Sequence, residues 1–247
     1  MELMDYVNSL WSTVRYEMVS ALIEVCACCV TAYGFARFKF KFKGVLIGVL
    51  FLTILVPDMM VLIPRMTNYS KMDILGIFGL LNSLTGIDLR PNILGTEAAF
   101  YLPSLFSMGL RSGIMIFIYM QFFASFPKEL EEAAWIDGAG PWKTFLSIVL
   151  PSSGASSVTV IVFAVVWYWN DYYLSQMYLS DNHPLSVVLS NFSSNTAMLN
   201  DFKAEYLFTT GSVLLTCCFI SIIPLLIFFL FMQKKFVQSI TTCGIVG

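Results

Sequence analysis

Three charged residues lie inside long apolar stretches of this sequence: Glu24, Glu97 and Arg111. A charge at the centre of a membrane-spanning helix costs about 2.5 kcal/mol or more, so each is a functional candidate. Glu97 and Arg111 are candidates for lining a polar translocation path. For Arg111, a side chain that extends to the membrane surface explains the charge equally well. For Glu24 we favour a role in packing. On one straight helix Glu97 and Arg111 would share a face about 21 Å apart, which excludes a direct pair.

A second candidate set is the run of aromatic and polar residues from Trp167 to Tyr173. Aromatic rings stack on sugar rings, and amides and carboxylates hydrogen-bond sugar hydroxyls, so Trp169, Asn170 and Asp171 are candidates for a translocation path. An aromatic belt at the membrane interface has the same composition and is more common. We therefore assign no sugar site to this run from the sequence.

Other reaction chemistries find little support in the sequence. Cys26 and Cys29 have C-x-x-C spacing, but five of the six cysteines fall in predicted spans and His183 is the single histidine, which argues against a zinc site and against a membrane-embedded enzyme. The G-x-x-x-x-G-K-[ST] phosphate loop is absent, so the chain does not bind ATP in that way. We expect no cofactor and no catalytic residue.

The composition indicates which environment these residues occupy. The chain has 247 residues, of which 57% are hydrophobic and 12% charged. Soluble domains carry about 25% charged residues, so both a soluble enzyme and a disordered chain are excluded. The net charge of -2 gives no sign of nucleic-acid binding. The composition therefore predicts a protein that is embedded in a membrane.

The apolar stretches predict an all-α, polytopic membrane protein. They are long and lack the period-two alternation of barrel strands. A bilayer core needs about 20 apolar residues of helix. By that measure the sequence predicts five spans, at about 18–36, 44–64, 93–123, 155–173 and 207–232. Pro64 is expected to end the second of them, and Pro57 and Pro224 are possible hinges.

Basic residues predict the orientation of these spans. Four positive charges without an acid fall in 37–43, and the tail carries Lys234-Lys235, which marks both as cytoplasmic. The segment between spans three and four is then cytoplasmic as well. Segments 65–92 and 174–206 are outside. We expect an extracytoplasmic segment 1–17, one transmembrane domain 18–236 and a cytoplasmic tail 237–247.

The predicted cytoplasmic segment 126–151 is unusually ordered for a loop. Pro127 suits the first position of a helix, and the acidic residues that follow favour its N-terminal dipole. Gly138 suits the left-handed end of that helix, and Pro141 begins another. The sequence predicts a helix, a glycine turn and a second helix that can insert into a groove on a partner.

The same segment resembles a known family. Glu132-Ala133-Ala134, three residues, Gly138, nine residues and Ile148-x-Leu150-Pro151 have the spacing of the EAA loop of ABC-importer permeases. Pro127-x-Glu129-Leu130, Trp169-Asn170-Asp171 and the tail from Phe236 resemble the carbohydrate-importer branch, relatives of the second maltose-permease subunit. The resemblance covers nearly the whole chain.

The resemblance implies a bacterial inner-membrane permease subunit that carries a sugar or oligosaccharide. Its implied partners are a second permease subunit, two ATPase subunits that hydrolyse the ATP and an extracytoplasmic solute-binding protein. The residues that would couple it to the ATPase are Glu132, Ala133, Ala134, Asp137, Gly138, Ile148, Leu150 and Pro151. The family normally has six helices. The five predicted here match its second to sixth, and we expect the first to be absent from this chain.

Three alternatives remain open at this point. The solute of the importer could be other than a sugar. A self-contained secondary transporter is less well supported, because its two halves should form inverted repeats and none is visible. The segment 126–151 could be an ordinary amphipathic interfacial helix, although that explanation does not require the glycine spacing or the distant Leu150-Pro151.

Overall fold

The computed structural model describes residues 6–73, 76–86, 88, 90–191 and 204–244, and all regular elements within them are helices. The first six are α1 (Tyr6–Arg37), α2 (Lys43–Leu55), α3 (Asp58–Ser70), α4 (Ile77–Thr85), α5 (Ala98–Leu105) and α6 (Ser112–Ser125). They are followed by α7 (Lys128–Ile136), α8 (Pro141–Ser152), α9 (Gly154–Trp169), α10 (Tyr173–Tyr178), α11 (185–191) and α12 (Ala204–Gly244).

Helix α1 begins well before the predicted first span. It has 32 residues and starts at Tyr6, whereas the sequence places the span at 18–36. A π-helical turn occupies Thr13–Met18. Polar residues of this first part, including Ser9 and Glu17, are buried, which explains why hydropathy alone does not detect it.

The predicted span 44–64 is broken by a proline. Helices α2 and α3 meet at an angle of 104°. The break falls at Pro57, because a proline disfavours helical backbone at the residue before it. The expectation that Pro64 ends the span is wrong: Pro64 lies inside α3, which continues to Ser70.

The predicted span 93–123 is also broken. It consists of α5 and α6, and between them Ser107 and Arg111 both have positive φ angles of 56°. Glu97 and Arg111 therefore do not share one straight helix. Helix α6 is apolar but has only 14 residues.

Two spans are clear in the described residues, within α1 and at Leu214–Phe236 of α12. The pairs α2–α3 and α8–α9, the latter bent by 77°, raise the number to four if each pair counts as one span. The protein is thus an all-helical membrane protein, and the predicted count of five is not confirmed.

The helices form two compact units. The first comprises described residues within 1–20, 56–103 and 167–223. Its core contains Leu185, against which Tyr6, Leu10 and Trp169 pack. The rings of Phe100 and Tyr178 lie 5.7 Å apart, centre to centre.

The second unit comprises described residues within 21–55, 104–166 and 224–247. Helices α2 and α6 approach closely at Gly113, where an added Cβ would lie 2.8 Å from the Thr53 hydroxyl and 2.9 Å from Ile54 Cγ1. Phe123 at the end of α6 is fully buried. This unit carries the segment 126–151.

Candidate functional site

Helix α7 starts one residue later than the sequence predicts. Pro127 is the N-cap, with φ -58° and ψ 126°, and the helix begins at Lys128. Glu129 and Glu131 lie in its first turn, where a negative charge interacts favourably with the helix dipole. The proline and the acids therefore define the start of α7.

The glycine turn has the geometry that the sequence predicts. Gly138 has φ +81°, in the left-handed region that penalises any Cβ. Its N–H donates to the carbonyl of Trp135, and the Ala139 N–H donates to the carbonyl of Ala134. These two bonds form a Schellman motif, which satisfies the last carbonyls of α7.

Helix α8 follows directly. Gly140 is its N-cap and Pro141 its first residue, as predicted. The Thr144 hydroxyl donates to the carbonyl of Gly140 over 3.1 Å. Two residues of the predicted coupling set, Leu150 and Pro151, are exposed in the last turn of α8, and Ile148 is half-buried.

We use the term outer face of α7 for four exposed residues of its second half and the C-cap that follows them: Glu132, Ala133, Trp135, Ile136 and Asp137. All five are exposed, with Ile136 at 86%. Large apolar and acidic side chains thus stand together on a short helix, a composition suited to contact with another protein. Of the predicted coupling residues on α7, only Ala134 is buried.

The inner face of α7 consists of Glu131 and Ala134, one helical turn apart and both buried. The Glu131 carboxylate forms an ion pair with Arg37, the last residue of α1. Arg37 Nε and Glu131 Oε1 are 2.8 Å apart. Arg37 also donates from Nη2 to the carbonyl of Phe126 over 2.6 Å. Its guanidinium lies 5.9 Å from the centre of the Phe126 ring.

Tyr33, one turn before Arg37, completes this contact. Its hydroxyl donates to the second oxygen of Glu131 over 3.5 Å. Its ring lies 4.7 Å from that of Phe145 in α8 and 5.6 Å from that of Phe123 in α6. The end of α1 therefore contacts α6, α7 and α8. Sequence reasoning used Arg37 to orient the spans and did not consider this contact, because no local pattern links it to the distant Glu131.

In the first unit, Glu97 forms an ion pair with Arg15. The Tyr101 hydroxyl donates to the carbonyl of Arg15 over 2.6 Å. Arg15 is half-exposed and Glu97 about one-third exposed. Sequence reasoning did not identify Arg15 as the partner of Glu97, because 82 positions separate the two residues in the chain.

Asp171 is buried and caps α10. Its carboxylate accepts hydrogen bonds from the N–H groups of Leu174 and Ser175. The Ser175 hydroxyl donates to Glu17 of α1, which is also buried and interacts electrostatically with Asp171. Sequence reasoning missed Glu17, which lies 158 residues from Ser175.

The remaining path candidates have the following surroundings. Trp169 packs against Leu185, Asn170 is exposed, and Arg111 is an exposed residue at the start of α6. Among the described residues no group of three or more His, Cys, Asp or Glu could hold a metal ion. Outside the spans, the hydrogen bond from Arg90 lowers the pKa of Asp88 to about 2.

Comparison with known proteins defines the class. Residues 29–242 match the family of binding-protein-dependent transport system inner membrane components, and the chain belongs to that family. It is accordingly a permease subunit of an ABC importer, embedded in the membrane.

Two curated relatives illustrate the similarity. The chain is 27% identical to the lactose transport system permease protein LacG of Rhizobium radiobacter over 93% of this chain and 72% of that protein. It is 26% identical to the probable starch degradation products transport system permease protein AmyC of Thermoanaerobacterium thermosulfurigenes, with the same coverage of 93% and 72%.

A solved structure shares the fold. A chain of a bacterial ABC transporter involved in the import of the acidic polysaccharide alginate superposes with a TM-score of 0.65. The match covers 94% of this chain and 75% of that one, at 16% sequence identity. This likeness supports the helical architecture.

Proposed function

We propose that this permease subunit carries a sugar or oligosaccharide across the inner membrane by alternating access, driven by ATP that a partner ATPase hydrolyses. The names of LacG and AmyC, which concern lactose and starch degradation products, support the solute class. A second permease subunit, two ATPase subunits and an extracytoplasmic solute-binding protein complete the importer.

The observation that carries the coupling part of the proposal is the outer face of α7. Glu132 and Asp137 project together with Trp135 and Ile136 from a short helix that the Schellman turn ends sharply. A rigid helix of this kind fits a cleft on an ATPase subunit and moves when that subunit closes. Ala133, Ala134, Gly138, Ile148, Leu150 and Pro151 shape the same segment.

The proposal places α7, α8 and the C-terminal tail in the cytoplasm. The basic segment 37–43, which follows α1, supports this side for α7, because Arg37 contacts α7 directly. Glu97, Arg111, Trp169, Asn170 and Asp171 remain candidates for the translocation path, of which Asp171 is the most buried.

Replacement of the turn glycine tests the coupling role. The change Gly138→Val places a branched side chain at φ +81°, which strains the turn by about 1–2 kcal/mol and redirects α8. Uptake in cells and ATP hydrolysis stimulated by the binding protein should both fall, while the amount of inserted protein persists. Unchanged uptake would contradict the coupling role.

The matched control is Gly140→Ala, two residues further on. Gly140 has φ -75°, and an added Cβ there meets no atom within 4 Å. This variant adds a side chain to the same segment without strain and should transport normally.

The solute class requires a separate measurement. The complete complex in liposomes should take up radiolabelled lactose or maltodextrins in an ATP-dependent manner, and the purified chain alone should not. Uptake of glycerol 3-phosphate or an amino acid in place of sugars would identify a non-sugar importer. Transport by the chain alone would instead indicate a secondary transporter.

A further inference from the structure

The short connection between α6 and α7 leaves the orientation of α7 to be determined by other contacts. Phe126 is extended, with φ -67° and ψ 133°, and Pro127 separates it from the helix. The last helical hydrogen bond of α6 runs from the Phe126 N–H to the Phe122 carbonyl, and the extended Phe126 and Pro127 carry no helical hydrogen bond on into α7, so this connection does not transmit torque between the two helices. A contact from elsewhere in the unit must hold α7.

Arg37 supplies that contact at both ends of the connection. Its Nε atom pairs with Glu131 on α7 at 2.8 Å, and its Nη2 donates to the carbonyl of Phe126 at 2.6 Å. The planar guanidinium carries both interactions from one rigid group. The side chains of Arg37 and Glu131 are 8% and 4% exposed, so water does not replace either partner.

Tyr33 fixes the other carboxylate oxygen of Glu131 and packs its ring on Phe145 of α8. Both helices of the segment 126–151 are therefore tied to the last turns of α1. The outer face of α7 shares no side chain with this attachment, since Glu131 points inward and Glu132 outward.

We propose that Arg37 is a positioning residue that makes the end of α1 follow α7 when a partner ATPase displaces it, with Tyr33 as its support. This inference rests on the proposed function, in which the outer face of α7 is the docking surface. Without Arg37, α7 would still dock and the partner would still hydrolyse ATP. The displacement of α7 would then be taken up by rotation at Phe126–Pro127 and would not reach the end of α1.

The test compares transport with ATP consumption in the complete complex in liposomes, with a radiolabelled sugar that the wild type takes up. For Arg37→Ala we expect ATP hydrolysis stimulated by the binding protein to continue and uptake per ATP to fall by about tenfold. Hydrogen exchange of residues 128–136 should become faster at the same time. Unchanged uptake per ATP would overturn the inference, as would parallel loss of uptake and hydrolysis.

A conservative variant keeps the test valid if Arg37→Ala does not assemble. Lysine at this position retains the charge but cannot hold Glu131 and the Phe126 carbonyl with one planar group. Arg37→Lys should therefore reduce uptake per ATP in the same direction by a smaller factor, about threefold. Wild-type coupling in this variant would contradict the proposal.

The exchanged pair Arg37→Glu with Glu131→Arg provides a rescue. It restores opposite charges at the buried contact, so uptake per ATP should recover in part relative to Arg37→Glu alone. Lys39→Ala is the matched control, because Lys39 is an exposed basic residue two positions further along. Loss of coupling in Lys39→Ala equal to that in Arg37→Ala would overturn the specific role.

Failure of this inference is distinguishable from failure of the proposed function. If the wild-type complex neither transports the sugar nor responds to ATP, the proposed function is wrong. If the wild type couples and the Arg37 variants couple equally well, only the positioning role is wrong.

Discussion

Two buried glutamates, one in each unit, are stabilised in opposite ways. Glu131 in the second unit faces Arg37 and Tyr33, and both of its oxygens have partners. Glu17 in the first unit accepts from the Ser175 hydroxyl and interacts with another acid, Asp171. A carboxylate neutralised by a cation depends on that cation, whereas one held by a hydroxyl beside another acid tolerates loss of its charge. The units should therefore respond differently to the same change.

The largest effect is expected from removal of the cation at Glu131. Arg37→Ala leaves a buried carboxylate without its partner, which costs about 3–5 kcal/mol of unfolding free energy. Denaturant titration of the purified chain in detergent, followed by circular dichroism, measures the loss. Lys39→Ala should behave as wild type.

A double variant refines this expectation. Arg37→Met with Glu131→Met removes both charges and fills the space with apolar atoms, so stability should return to within about 1–2 kcal/mol of wild type. Coupling should not return, because both the ion pair with Glu131 and the hydrogen bond to Phe126 are gone. A double variant as unstable as Arg37→Ala would show that packing, and not the unpaired charge, causes the loss.

Some features of the fold and of the candidate site could be predicted from the sequence. The turn at Gly138 and the start of α8 at Pro141 follow from local rules, since glycine alone suits φ +81° and proline suits a first helical position. The lipid environment follows from composition. These features depend on residues near one another in the chain.

The features that the sequence missed depend on distant contacts. The pairs Glu17–Ser175 and Arg37–Glu131 join residues far apart, and no local pattern marks either. The break between α5 and α6 was missed because 93–123 is mostly apolar despite Glu97 and Arg111, while the backbone at Ser107 and Arg111 turns left-handed. Hydropathy measures how readily a segment enters lipid, and it does not depend on the backbone conformation at such turns.

A moderate effect is expected at Thr13, in the same turn of α1 as Glu17. The buried Thr13 hydroxyl donates to the carbonyl of Ser9 and accepts from the N–H of Leu185. Thr13→Val keeps the volume but leaves that buried N–H unpaired, which should cost about 1–3 kcal/mol. Thr67→Val, at an exposed threonine, is the control for thermal unfolding in detergent. Equal melting temperatures for the two variants would contradict the role of Thr13.

A difference between the units is expected from the exchange of each glutamate for glutamine. Glu17→Gln retains an oxygen for the Ser175 hydroxyl and removes the repulsion with Asp171, so stability should stay within about 1 kcal/mol of wild type. Glu131→Gln leaves Arg37 without its counter-charge and should lose about 1.5–3 kcal/mol. Equal losses in the two variants would show that the two buried glutamates are stabilised in the same way.

The smallest effect is expected at the exposed pair Asp88–Arg90. Because the pKa of Asp88 is lowered to about 2, the contribution of the pair is present above the ordinary aspartate pKa of about 3.9 and is lost as the pH falls through about 2. Asp88→Asn should therefore melt like wild type between pH 5 and pH 9, since the pair is solvent-exposed. A clear difference within that range would show that the pair is more than a surface contact.

The two faces of α7 have a consequence for engineering. Because Glu131 makes the contact with α1 while Glu132, Trp135 and Ile136 are exposed, the outer residues can be exchanged as a set without altering the inner attachment. If the outer face of α7 is the docking surface, as proposed, a graft of the outer residues from another permease should redirect this subunit to a foreign ATPase. Insertion of one residue into α7 would instead rotate all later side chains by about 100° and interchange the two surfaces.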